Sequence, residues 1–283
     1  MSSDPLRLAL GFVAAAALFL VLEQRWPAAP GTAVVARSRR AVGTDVIYWF
    51  FTPLVARGLT RLAVAVGLIA TALLLGVPAD HEQLLRALEP GGPVARQPRW
   101  LQAIELLVLA DLAGYLSHRW LHGRHLWPIH AVHHSSTRVD WLAAVRVHPL
   151  NDALPRVLQA IPLVFLGFDA RLIAALIPVF TFWAILVHAA VPWRFGPLRF
   201  LIASPAFHRW HHALDEQGLQ RNYAGLFPAI DLLFGTYYLP VHAPCRFGTP
   251  DAPVPDGFLA QLAWPFGGPG RAARGARAIP PSL

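Results

Sequence analysis

Residues 100–134 read WLQAIELLVLADLAGYLSHRWLHGRHLWPIHAVHH, and this stretch decides the fold. Residues 100–117 form an apolar run long enough to cross hydrocarbon as a helix. The run ends directly in HRWLH, with His118 and His122 one helical turn apart. Asp111, Tyr115, His118 and His122 follow at steps of four, three and four, so they share one stripe of a helix leaving the membrane. A carboxylate inside an apolar span is costly unless paired, and a ring N–H of a metal-bound histidine is a usual partner for it. Asp111 is therefore expected to support the histidines behind their metal.

Working outward, HAVHH places His130, His133 and His134 just after this helix, and HRWHH places His208, His211 and His212 near residue 210. His188 stands between them, alone at the end of an apolar segment. Pro128 and the Ser204-Pro205 pair precede the two triplets, and proline favours the first turn of a helix, so each triplet is expected to open one. Three-and-four spacing turns imidazoles to one side. Nine of the 13 histidines then exceed the four ligands of a structural zinc or the three of a catalytic one. Two metals are implied. His148, in RVHPLN, is a candidate for orienting the site or binding substrate, and a weaker ligand candidate, with His125 weaker still; His81 and His242 read as solvated loop residues.

The rest of the chain agrees with a membrane setting. Of 283 residues, 55% are hydrophobic and 14% charged, and the mean hydropathy is +0.44; soluble domains carry roughly a quarter of charged residues. Residues 6–22 read as an uncleaved anchor helix, because EQRW follows without a small-residue cleavage site. Residues 59–77 are a second span, while 46–55, interrupted by Pro53, suit an interfacial or re-entrant piece. Residues 78–100 read as a loop. Residues 153–168 and 171–191 read as two apolar helices joined at Asp169-Ala170, a hairpin returning His188 to the face it started from. The tail from Gly267 has a disordered composition.

The net charge of +8 is all arginine and lies beside the apolar segments, for example at Arg37, Arg39 and Arg40, which are expected to meet anionic headgroups. Nucleic-acid binding is a poor reading of that distribution. Arginine density around 118–146 and 194–221 puts the histidine face in the cytoplasm. The single Cys245 excludes a disulfide framework and a cysteine metal site. The expected architecture is an all-α integral membrane bundle with a histidine-rich cytosolic cap. Residues 1–100 supply N-terminal helices and a loop, 101–245 the histidine-box domain, and 246–283 a partly disordered tail.

HRWLH, HAVHH, RVHPL, and HRWHH followed by RNYAGLFPAIDLLFGTYYLP together resemble the fatty acid hydroxylase and sterol desaturase superfamily, over about residues 111–240. The resemblance implies a four-helix membrane bundle with a cytosolic cap. It also implies two non-haem irons that use O₂ to hydroxylate or desaturate C–H bonds of a lipid, and it carries over His118, His122, His130, His133, His134, His188, His208, His211 and His212 as ligands. Asp231, in the last of these motifs, is a further supporting candidate. Some hydroxylase relatives place one more histidine about five residues before the counterpart of His188, where this chain has Trp183. No GxGxxG or CxxC motif occurs, so electrons are expected from a separate reductase, ferredoxin or cytochrome-type carrier. Redox need selects iron over zinc, since affinity alone does not.

Two other readings compete. A membrane metal-dependent hydrolase lacks HExxH and its general base. A haem- or metal-binding membrane protein without catalysis leaves most of the histidines unexplained, because haem takes one or two axial ligands. Trp120, Trp127, Trp141, Trp183, Trp193 and Trp210 fit a membrane interface better than a lipid entrance.

Overall fold

The structure, a computed structural model, describes residues 4–28, 37–249 and 254–267. The chain is an all-helical membrane bundle carrying a histidine-rich cap. Helix α1, Pro5–Arg25, starts on Asp4, whose side chain accepts the Leu6 N–H at 2.9 Å, with proline in its first turn. Its outer face is bare: Leu6, Leu10, Val13 and Val21 are all exposed. A surface of this kind is solvated by lipid tails, not water.

Among the described residues, four helices are long and apolar enough to cross a membrane: Pro5–Arg25, Arg39–Leu74, Arg99–Leu121 and Ala170–His188. The second, α2, joins the two segments that the sequence reading had separated at Pro53. Proline removes an N–H and crowds the carbonyl four residues back. The helix absorbs this by widening into a π turn over Thr52–Ala56 and continues to Leu74. Residues 46–55 are thus the first half of a long helix, not a re-entrant piece.

The expected loop at 78–100 contains two short helices, His81–Ala87 and Gly92–Ala95. Asp80 caps the first, taking the Gln83 N–H at 3.1 Å. Helix α3, Arg99–Leu121, carries the Asp111–Tyr115–His118 stripe and ends at His122. The short α4, Trp127–His134, follows with Pro128 in its first turn.

Helix α5, Pro149–Phe165, begins four residues earlier than its apolar run, because His148 Nδ1 caps it by accepting the Leu150 N–H at 3.2 Å. It runs alongside α2 in the same direction: Thr60 meets Asp152, and Gly67 faces Val157 and Ile161. A Cβ at Gly67 would come within 3.1 Å of Val157, so the small residue sets this approach. Helix α6, Ala170–His188, is capped by Asp169 and returns to the cap as expected. Helix α7, Pro205–His211, is capped by Ser204. Short helices α8, Pro228–Leu233, and α9, Phe258–Ala263, complete the cap. Most of the Gly267 tail lies outside the described residues. Residues 254–267, which precede it, pack back on the body, with Phe258 against Tyr48 and Phe51.

An aromatic core of Phe12, Phe19, Trp49, Trp141 and Leu186 ties α1, α2 and α6 to the cap. Glu23 Oε1 reinforces it by accepting the N–H groups of Trp141 at 3.1 Å and Ala190 at 2.9 Å. A buried ionic network does the same for α2: Arg37 pairs with Asp45 and Asp140, and Arg146 Nε donates to Asp45 at 2.6 Å. Arg37 is therefore not at headgroups, as its place in the sequence suggested; its side chain is enclosed by two carboxylates. Arg39 and Arg40 are exposed.

Candidate metal centre

Four elements deliver the nine clustered histidines to one place. The end of α3 brings His118 and His122, α4 brings His130, His133 and His134, α6 ends on His188, and α7 brings His208 and His211 with His212 as its cap. They sort into two groups: His118, His122, His130, His134 and His211, and His133, His188, His208 and His212. Within each, one ring nitrogen per residue lies within 4.8 Å of all the others. All but the half-buried His118 are buried. His81, His125 and His242 are exposed and outside both groups.

The donor set fits a cation on internal evidence of proton placement. Nδ1 of His118 lies 2.8 Å from Tyr223 O, that of His133 3.2 Å from Arg146 O, that of His188 2.6 Å from Ala184 O and that of His211 2.9 Å from Arg221 O. Nδ1 of His130 lies 2.6 Å from Asn151 Oδ1. These oxygens only accept, so each Nδ1 carries the proton and each Nε2 presents a lone pair. Yet Nε2 of His118 faces Nε2 of His130 at 3.0 Å, and Nε2 of His133 faces that of His188 at 3.2 Å. Lone pairs converging with no proton between them repel. A metal ion held among them removes the conflict.

Electrostatics point the same way. Burial holds the imidazoles of His122, His130, His133, His134, His208, His211 and His212 well below the ordinary histidine range, and repulsion among them adds to it. Neutral rings are the form that binds metal.

The supporting residues differ from those expected. Asp111 touches no histidine ring; it accepts the backbone N–H groups of Gly225, Leu226 and Phe227 at 3.0, 3.0 and 2.6 Å. Asp231 likewise takes the N–H groups of Tyr223 and Ala224 and the Thr236 hydroxyl. Both carboxylates pin the 223–227 loop, whose Tyr223 carbonyl orients His118. Backbone carbonyls and the Asn151 amide thus do the work assigned to carboxylates, because the ring edges face the chain at α5 and at the 221–223 turn. Asn151 and Arg146 escaped the sequence reading as residues, although both lie in the RVHPLN stretch that it marked.

His148 is in neither group; it caps α5, and its Nε2 lies 3.2 Å from Leu262 O. His148→Ala is therefore expected to retain full metal content by mass spectrometry while losing about 1 kcal/mol of stability with its cap. Metal loss in that variant would place His148 nearer the ions.

A cavity of about 390 Å³ runs from His118, His188 and His208 down between α2, α3, α5 and α6. Its walls are mainly apolar, with Trp49, Phe180, Trp183 and Ile185 among them. Of the tryptophans singled out in the sequence, Trp183 alone lines it; Trp127, Trp141 and Trp210 are buried, and Trp120 is exposed. Trp183 Nε1 donates to Ala203 O at 3.2 Å. Among the described residues nothing joins the four-histidine group as a fifth ligand.

Membrane-length helices that hand nine imidazoles to two adjacent points define an integral-membrane protein whose histidine clusters could hold metal. Residues 103–236 match the family model described as fatty acid hydroxylase. The chain is 35% identical over 179 residues to an ornithine lipid hydroxylase of Rhizobium tropici, covering 62% of this chain and 53% of that protein. It is 29% identical to an alkylglycerol monooxygenase of Caenorhabditis elegans, covering 46% of this chain and 26% of that protein. To a Delta(7)-sterol 5(6)-desaturase of Gibberella zeae it is 28% identical, with 47% and 37% covered. Residues 103–236 thus carry the likeness to the fatty acid hydroxylase family, and the relatives extend that likeness to the sterol desaturases. It spans about half the length of the first of these relatives and less of the others. No solved structure matches it.

Proposed function

We propose that this chain is a di-iron lipid oxygenase. His118, His122, His130, His134 and His211 would hold one iron, and His133, His188, His208 and His212 the other. The observation that carries this reading is the pair of facing Nε2 lone pairs at the end of an apolar cavity. Bound iron supplies the reductive activation of O₂, which histidine side chains cannot perform. Hydroxylation inserts one oxygen atom into a C–H bond and releases the other as water, while desaturation removes two hydrogens and releases both oxygen atoms as water; either takes two electrons and two protons from outside. Relatives named as hydroxylase, monooxygenase and desaturase support a lipid as the substrate. A separate electron-carrier protein supplies the electrons.

The chain's own residues do the rest. The 223–227 loop and Asn151 fix the ring tautomers, so the ligand lone pairs are set before metal arrives. Apolar walls exclude water and align a hydrocarbon chain beneath the histidines. With four imidazoles rather than five, the second group would give a bound ion fewer protein ligands, and its His188 and His208 both line the cavity. Oxidation is therefore assigned to that end. The arginines around the cap support a cytoplasmic face for it.

Purified protein should contain two irons per chain and convert lipid only with both O₂ and a reductant. Lipid mass spectrometry would read an added oxygen for hydroxylation or loss of two hydrogens for desaturation. Zinc in place of iron, with turnover that ignores O₂, would point instead to hydrolysis.

A further inference from the structure

The cavity carries polar groups that the oxygenase chemistry does not use. On α2, Tyr48, Thr52 and Arg57 all line it. Their alignment is a product of the π turn: Arg57 N–H reaches back to Thr52 O, which stacks residue 57 above residue 52. In an unbroken α-helix residue 56 would stand there, and Arg57 would turn about 100° away. Across the cavity, Arg156 lines the α5 wall.

The Thr52 hydroxyl is buried and has no hydrogen-bond partner. A buried hydroxyl without a partner is costly, so it is a donor waiting for a ligand atom. Two carboxylates also line the cavity. Asp111 is saturated by its three backbone N–H groups. Asp152 accepts Arg156 Nε at 3.0 Å and the Thr60 hydroxyl at 3.0 Å, which fixes the Arg156 fork beside the opening. Arg156 keeps its two terminal NH₂ groups for a further acceptor.

We propose that this wall is a seat for the anionic group, phosphate or carboxylate, of an amphipathic lipid, held by Arg57 and Arg156 with the hydroxyl of Thr52. A forked guanidinium matches such oxygens in shape and charge. The adjoining apolar walls take the hydrocarbon. The identity of this lipid as the substrate rests on the oxygenase reading, but its binding does not. The headgroup fixes how far a given carbon lies from His188 and His208, so it sets the position oxidised.

Binding is tested on the whole protein in a neutral detergent, without O₂ or reductant, using radiolabelled tetradecyl phosphate with tetradecanoate, tetradecanol and inorganic phosphate as competitors. The phosphate and carboxylate lipids should bind about tenfold more tightly than the alcohol, as expected for charge-assisted hydrogen bonds. In the double variant Arg57→Gln, Arg156→Gln this preference should vanish while alcohol binding stays. Thr52→Val should weaken tetradecyl phosphate severalfold at an unchanged melting temperature, because the hydroxyl has no internal partner. That variant decides the matter if the arginine variant cannot be purified.

Equal binding of alcohol and phosphate would overturn the proposal in favour of a neutral lipid. Competition by inorganic phosphate as strong as that by the lipid would overturn it in favour of a small-anion site. Protein that holds two irons and turns over, yet shows no anion preference, would lose this inference alone. Protein with the preference but no iron would lose the oxygenase reading alone.

Discussion

His133→Ala is expected to remove iron from the four-histidine group and to abolish turnover, while the membrane helices stay inserted. Nε2 of His133 faces His188 at 3.2 Å, and its ring packs against His212 at 4.7 Å between centroids. Removing it leaves three imidazoles at that point. Its Nδ1 is fixed by the Arg146 carbonyl, and the Arg146 side chain is bound in turn to Asp45 on α2. The lost ring is therefore one whose orientation the whole upper half of α2 enforces, and no neighbour can swing in to replace it. Loss of about a thousandfold or more in rate matches removal of a group that acts as part of a unit. Metal content and rate should be read on the same preparation. Full activity with full iron would remove His133 from the ligand set.

Asp111→Ala should be the most destabilising single change outside the histidines. One carboxylate satisfies three N–H groups, one buried and two part-buried, and each group left unsatisfied away from water costs about 1–3 kcal/mol. A loss of about 3 kcal/mol or more is expected, read as a large drop in melting temperature in detergent. The same change frees the 223–227 loop, so the Tyr223 carbonyl no longer holds the His118 tautomer. Iron affinity should fall even where folded protein is recovered. Asp111→Asn separates the two effects, since its amide oxygen still accepts. A stable, iron-replete alanine variant would show that the loop is held by other contacts.

The helical class and the gathering of nine histidines were legible because both rest on short-range rules: span length, three-and-four spacing, and proline at helix starts. What the sequence hid depends on contacts between distant segments. Asp111 looked like a histidine partner because spacing puts it on the stripe; the N–H donors it meets lie over a hundred residues away. Pro53 looked like a break because the local rule for proline does not anticipate a π turn. Arg37 looked like a headgroup contact until Asp45 and Asp140 closed on it. The carbonyl partners of the rings were invisible for a simpler reason: every residue has a carbonyl, so composition cannot mark the few that matter.

The two HxxHH helices each serve both groups: α4 sends His130 and His134 one way and His133 the other, and α7 splits His211 from His208 and His212. The separation of the two histidine groups is thereby ruled by the pitch of two rigid turns. Disorder on one side unseats the other, so occupancy should be cooperative: under iron limitation, a population would divide into fully charged and empty molecules, with few half-filled ones between.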